Sequence, residues 1–167
     1  MQKRFTFLML LLLLSACGFA PQYGEMARPA AQPAAALNQV ALPTLADRDG
    51  QFLRNALIDR FYRGGMPSAP AYILKLTGPD INILNFDITV DAEATRRQVR
   101  ANTKLSLLDK ATGAILLARD LRAITSYNVL ESEYATLVTE RSATEAALND
   151  LARQIETQLT LYFNRSL

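Results

Sequence analysis

The sequence predicts an α+β domain: one antiparallel sheet of about four strands with two helices packed on one face, in the order strand, helix, strands, helix. Three observations predict it. Apolar residues recur at helical spacing between Gln51 and Arg63, and again from Leu148 to Tyr162. Between these segments, from Ala71 to Tyr127, the period shifts to two. Each patterned segment is apolar on one side only, so a sheet covered on one face by two helices buries every stripe.

The elements follow in order. Gln39-Val40-Ala41-Leu42-Pro43 reads as a short strand that Pro43, with no N–H to donate, confines to an edge or a terminus. Asp47 or Asp49 offers a cap for the first helix, in which Phe52, Leu53, Ala56, Leu57 and Phe61 share one side, while Arg54, Asp59, Arg60 and Arg63 lie mostly on the other. Gly64-Gly65 and Pro67 end it. Tyr72, Leu74 and Leu76 then alternate with Ile73, Lys75 and Thr77, and Leu84, Phe86, Ile88 and Val90 with Asn85, Asp87, Thr89 and Asp91. The Gly78-Pro79-Asp80 interruption between them fits either a bulge in one long strand or a turn between two. Val99, Ala101, Thr103, Leu105 and Leu107 form one face of the next strand, and Arg96, Gln98, Arg100, Asn102, Lys104 and Ser106 the other. Asp109-Lys110-Ala111-Thr112-Gly113 is a hairpin connection into Ala114–Tyr127. Ser142-Ala143-Thr144-Glu145 has the form of a capping box, and the stripe Leu148, Leu151, Ile155, Leu159 and Tyr162 follows it, with Asn149, Asp150, Arg153, Gln154 and Glu156 facing away.

Ahead of this domain stands an export signal. Lys3 and Arg4 make a positive start, a leucine-dominated apolar run extends from Phe5 to Leu14, and Ser15-Ala16 precede Cys17. Ten helical residues span roughly 15 Å, half of a hydrocarbon core, so the run is too short to cross a membrane. Leu14-Ser15-Ala16-Cys17 resembles a bacterial lipobox, in which the cysteine is acylated and becomes the first residue of the mature chain. Cys17 is the sole cysteine, and acylation accounts for an unpaired cysteine in an exported protein. The expected division is therefore a signal at residues 1–16, a lipidated Cys17 with an Ala/Pro-rich tether through residue 36, and a single domain at 37–167.

The composition excludes several chemistries. Eighteen basic residues face 16 acidic ones in the full chain, and the loss of Lys3 and Arg4 with the signal leaves a balanced one. Bulk charge thus gives no reason to expect a nucleic-acid partner. With no histidine, His-assisted nucleophilic hydrolysis lacks its base and zinc or other transition-metal sites lack their usual ligands. No phosphate-binding glycine loop is present, so neither a cofactor nor a metal is expected. A carboxylate pair drawn from Asp87, Asp91, Asp120 and Glu131 would be the one route to hydrolysis.

The residues Cys17-Gly18-Phe19-Ala20-Pro21-Gln22-Tyr23-Gly24, Arg54-Asn55-Ala56-Leu57-Ile58-Asp59-Arg60-Phe61, Ala123-Ile124-Thr125-Ser126-Tyr127-Asn128-Val129 and Ser132-Glu133-Tyr134-Ala135-Thr136 carry a resemblance to the LPS-assembly lipoprotein family, the LptE type in its alphaproteobacterial form. The resemblance spans nearly the whole mature chain and rests on weak patterns and element order. It implies a non-enzymatic lipoprotein on the periplasmic side of the outer membrane, anchored through acylated Cys17. Such a protein plugs the LptD-type β-barrel translocon and assists lipopolysaccharide assembly. The ligand-contact candidate is the strand face of Arg96, Arg100 and Lys104, since cationic side chains suit the phosphates of lipid A. A solvated face that keeps the sheet soluble, and a face that meets the barrel wall, are the other readings of the same residues. Another periplasm-facing outer-membrane lipoprotein, an auxiliary subunit of a lipid transporter or an activator of a cell-wall synthase, would share the signal, tether and domain.

Overall fold

The structure is a computed structural model and describes residues 35–88 and 94–166. The signal, Cys17 and most of the expected tether lie outside the described residues, as do Thr89, Val90 and Asp91. The elements are β1 (Val40–Ala41), α1 (Arg48–Phe61), β2 (Tyr72–Leu76), β3 (Asp80–Ile88), β4 (Ala94–Asp109), β5 (Ile115–Asn128) and α2 (Glu133–Ser166). They form a mixed α+β fold around one five-stranded sheet.

β4 is the axis of that sheet. Its partner on one side is β5, antiparallel from Arg96↔Asn128 to Leu108↔Ile115. On its other side β2 and β3 run end to end: Leu76 faces Leu105, and four residues later Asp80 faces Asn102, three residues back along β4. One residue is therefore in excess on the β2–β3 side, which makes the Gly78-Pro79-Asp80 interruption a bulge in one long strand and not a turn. The excess is held by Thr77, whose N–H donates to the Lys104 carbonyl at 3.0 Å and whose Oγ1 accepts from the Lys104 N–H at 2.9 Å. Thr103 Oγ1, buried beneath, donates to the Thr77 carbonyl at 2.9 Å.

The sheet departs from the expected all-antiparallel pattern at one edge. β1 pairs with β2 in parallel, Val40↔Tyr72 and Ala41↔Ile73. The reason is the connection: the chain returns through α1, and a strand–helix–strand crossover sets its two strands parallel. Tyr62 fixes this short edge strand, donating from its hydroxyl to the Val40 carbonyl at 2.7 Å and accepting from the Leu42 N–H at 3.2 Å. Burial raises the phenol's pKa.

α1 starts at Asp47, whose carboxylate accepts from the Gly50 N–H at 2.7 Å. Asp47 has φ of 61° and ψ of 173°, a strained region that side-chain-bearing residues seldom adopt. Asp47→Ala should lower stability by about 1–2 kcal/mol through loss of the cap in a strained backbone, while Asp47→Asn should be nearly neutral; urea titrations of both check this. Gly50 must stay small, since a Cβ there would stand 2.9 Å from the Leu45 Cβ. Leu53, Leu57 and Phe61 are buried as the helical spacing predicts.

α2 begins nine residues before the expected capping box. Its first turn is tied instead to Ser132, whose carbonyl accepts from the Thr136 N–H at 3.0 Å and whose Oγ takes the Ala135 N–H at 3.4 Å. Ser142 is an exposed residue inside the helix. The stripe Leu148, Leu151, Ile155 and Leu159 is fully buried, but its last member is Phe163, with Tyr162 half-buried beside it. Ala143, Ala147 and Ala152 are buried too, and side chains of β5 reach the helix: Thr125 Oγ1 donates to the Ala143 carbonyl at 2.8 Å. α1 and α2 share this core with Leu74, Val99, Leu105 and Leu107 of the sheet, and Arg60 Nη1 pairs with Glu156 Oε2 at 3.1 Å. Among the described residues no helix is long and apolar enough to cross a membrane.

Candidate functional site

The alternation in β4 determines what each sheet face presents. Val99, Ala101, Thr103, Leu105 and Leu107 point into the core. Arg96, Arg100 and Lys104 therefore stand on the opposite face, which no helix of the described residues covers, Arg96 and Lys104 exposed and Arg100 half-buried. Four residues separate each from the next, roughly 13 Å along a strand. The three cations line up along the sheet and do not converge on one point.

What surrounds them differs. Arg100 Nε donates to Gln98 Oε1 at 2.7 Å, and among the described residues its terminal amino groups have no acceptor. Arg96 faces Asn128 on β5 and Asp87 on β3 by register. Lys104 lies at the bulge, in an open cleft of about 510 Å³ that it lines with Thr77, Asn102, Asp80, Asp120 and Arg122. Arg122 is the functional candidate that the sequence pattern did not expose. It comes from β5, directly opposite Asn102, whose Oδ1 accepts from Arg122 Nε at 2.9 Å. That bond aims the guanidinium across the sheet, so Lys104 and Arg122 become diagonal neighbours, roughly 7–8 Å apart at the backbone. The cleft is amphoteric: two cations can hold a phosphate, and Asp80 and Asp120 can accept hydrogen bonds from hydroxyls beside it.

Among the described residues the carboxylates singled out from the sequence lie on separate elements, Asp87 on β3 and Asp120 on β5. Asp120 lines the cleft with Asp80, Glu131 lies in the connection between β5 and α2, and Asp91 is outside the described residues. Among the described residues no group of three or more His, Cys, Asp or Glu is placed to hold a metal ion.

Arg97 points the other way from Arg96 and belongs to the helix side. Its Nη1 is 3.9 Å from Glu140 Oε2 of α2, and its Nε is buried without a partner. The buried Tyr127 hydroxyl also donates to Glu140. Burial first, and then that bond, raise the Tyr127 pKa. This trio fastens the front half of α2 to the sheet, a structural duty that leaves the basic outer face to Arg96, Arg100, Lys104 and Arg122.

Comparison with known proteins places this architecture. The family model LptE, Lipopolysaccharide-assembly, matches residues 37–161. Among solved structures, a lipoprotein from Caulobacter crescentus CB15 superposes with a TM-score of 0.62 at 25% identity, covering 80% of this chain and 96% of that one. The minor lipoprotein of Acinetobacter baumannii gives a TM-score of 0.51 at 23% identity, over 73% of this chain and 88% of its own. Lipoprotein B of Nitrosomonas europaea gives 0.57 at 15% identity, over 74% and 81%; at such identities these last two speak for the fold alone. No curated protein matches the sequence.

Proposed function

Since this chain belongs to the LptE lipopolysaccharide-assembly family, we propose that it acts in the outer membrane as a lipoprotein anchored through acylated Cys17 on the periplasmic side. There it partners and plugs an LptD-type β-barrel and assists the passage of lipopolysaccharide. The match across residues 37–161 carries this reading, because it covers every strand, all of α1 and α2 as far as residue 161. The role asks for binding and positioning, with no bond made or broken, and the basic outer face suits it. A row of separated cations can hold an extended anionic amphiphile at several points, and the bond that Arg122 donates to Asn102 presets its guanidinium, which lowers the ordering cost on binding.

The test is one triple variant with two readouts. Replacing Arg96, Arg100 and Lys104 by Glu should weaken lipopolysaccharide binding by tenfold or more while the melting temperature holds. The loss should be largest at low salt, where screening is weak. If the face is merely solvated, neither lipopolysaccharide affinity nor barrel assembly changes. If it meets the barrel wall, co-purification is lost and the isolated domain still binds lipopolysaccharide. Unchanged affinity removes these three residues from the site. Arg122→Glu, added to the triple variant, should deepen the loss.

A further inference from the structure

A second surface, on the helix side, is built for a polypeptide. β1 ends after two residues at Leu42-Pro43, because Pro43 has no N–H with which to extend the ladder. The chain then turns up into α1, and no described strand continues the edge of the sheet along β3. Among the described residues β3 is hydrogen-bonded to β4 alone. Its outer backbone groups are thus free to pair with an added strand.

Beside that edge the helical layer has a gap. A cleft of about 310 Å³ opens between the first turn of α1, β3 and the front half of α2. Part of its lining is apolar, namely half-buried Phe52 and Ile81, Ile83 at 41% exposed and Leu137 at 57%, and the rest is polar or charged. Exposure on this scale at two facing large aliphatics leaves unsatisfied apolar surface that an inserted side chain would cover. The inner end of the cleft is acidic. Asp49 has no ion-pair partner among the described residues, and its pKa is raised, by burial first and then by Asp47 and Glu145. Glu145 is engaged by Arg141 at 3.3 Å, and Arg48 is exposed at the rim. Among the described residues no cation pairs with Asp49, although Arg48 and Arg141 line the same cleft.

We propose that this cleft receives an extended segment of the barrel partner, which adds as a strand to the free edge of β3, seats one large aliphatic or aromatic side chain between Ile83 and Leu137, and brings a Lys or Arg to Asp49. The inference rests on the barrel partnership proposed above. A polypeptide fits better than a lipid acyl chain, since an acyl chain could cover the apolar floor but could satisfy neither the free backbone of β3 nor the carboxylate of Asp49.

The test uses the full-length lipoprotein in the outer membrane together with its barrel. A benzophenone amino acid replaces Leu137, and an otherwise identical chain carries it at Ile124 on the outer sheet face. Irradiation of the Leu137 probe should give an adduct with the barrel, and the joined barrel peptide should hold a large apolar residue close to a Lys or Arg. Asp49→Asn, which removes the charge without reversing it, should reduce that adduct at least fivefold with the melting temperature unchanged. An adduct with lipopolysaccharide, with a second copy of this chain or with its own residues 18–34 overturns the proposal. So does the absence of a Leu137 adduct while the barrel still co-purifies, an outcome that leaves the barrel partnership standing. Failure of the unsubstituted lipoprotein to co-purify with the barrel overturns both.

Discussion

Leu151→Asp is expected to unfold the domain, and Ile155→Asp to do the same. Both side chains are fully buried in the α2 stripe, between Leu148 and Leu159 and under the sheet that β4 and β5 provide. Truncating a buried leucine already costs about 3–5 kcal/mol. An unpaired carboxylate at the same place adds its desolvation penalty, so the sum approaches the whole stability of a domain, about 5–15 kcal/mol. Gln154 gives an intermediate case. The pattern of α2 puts it on the solvent side, yet it is half-buried, and its Nε2 donates to the Arg122 carbonyl at 3.0 Å and to Asp150 Oδ2 at 3.0 Å. Gln154→Asp turns a donor into an acceptor facing two acceptors and should cost about 1–3 kcal/mol. Asn149→Asp, on the exposed side, should stay within about 0.5 kcal/mol. Urea or thermal melts must rank the three in this order. Equal melts would mean that the phase of α2 is wrong.

The elements that local pattern could reveal are those whose stabilisation is local or one-sided. β4 shows strict alternation because one face is core and the other is open, and the α1 and α2 stripes follow the same logic. Four features needed information that pattern lacks. The parallel pairing of β1 depends on a contact between residues 40 and 72. The bulge becomes visible only when partners on two strands are counted against each other. The start of α2 was hidden because Tyr134, Leu137 and Val138 are exposed, so residues 133–142 bury no apolar side chain, while Ser142 and Glu145 match a capping box inside a helix that has already begun. Arg122 escaped because Ile115, Leu116 and Leu117 run together at the start of β5, where the register shifts opposite Leu107 and Leu108, and no face could be assigned beyond them. The adjacent pair Arg96-Arg97 shows the limit plainly: two like charges stand side by side in sequence, and the pleat sends one to the outer sheet face and the other to Glu140.

Cys17→Ala should abolish acylation completely and leave the chain either unprocessed or released from the membrane. Cys17 is the sole cysteine, so no other thiol can take the lipid. Each buried methylene of an acyl chain contributes about 0.8 kcal/mol, and a single chain anchors only marginally, so stable attachment needs the two or three chains of a bacterial lipoprotein. No described helix can replace them, because none is long and apolar enough to span the bilayer. The fold, in contrast, should not notice the change. The described core runs from Ala36 to Phe163, and the melting temperature of the variant's domain should equal that of the parent. Acyl labelling, membrane fractionation and a thermal melt on the same variant check the three statements. Normal labelling would refute the lipoprotein assignment. If the lipid serves to hold the domain beside its barrel, the released variant should still bind lipopolysaccharide in solution yet recover far less barrel on purification, which separates the anchor's contribution from that of the basic face.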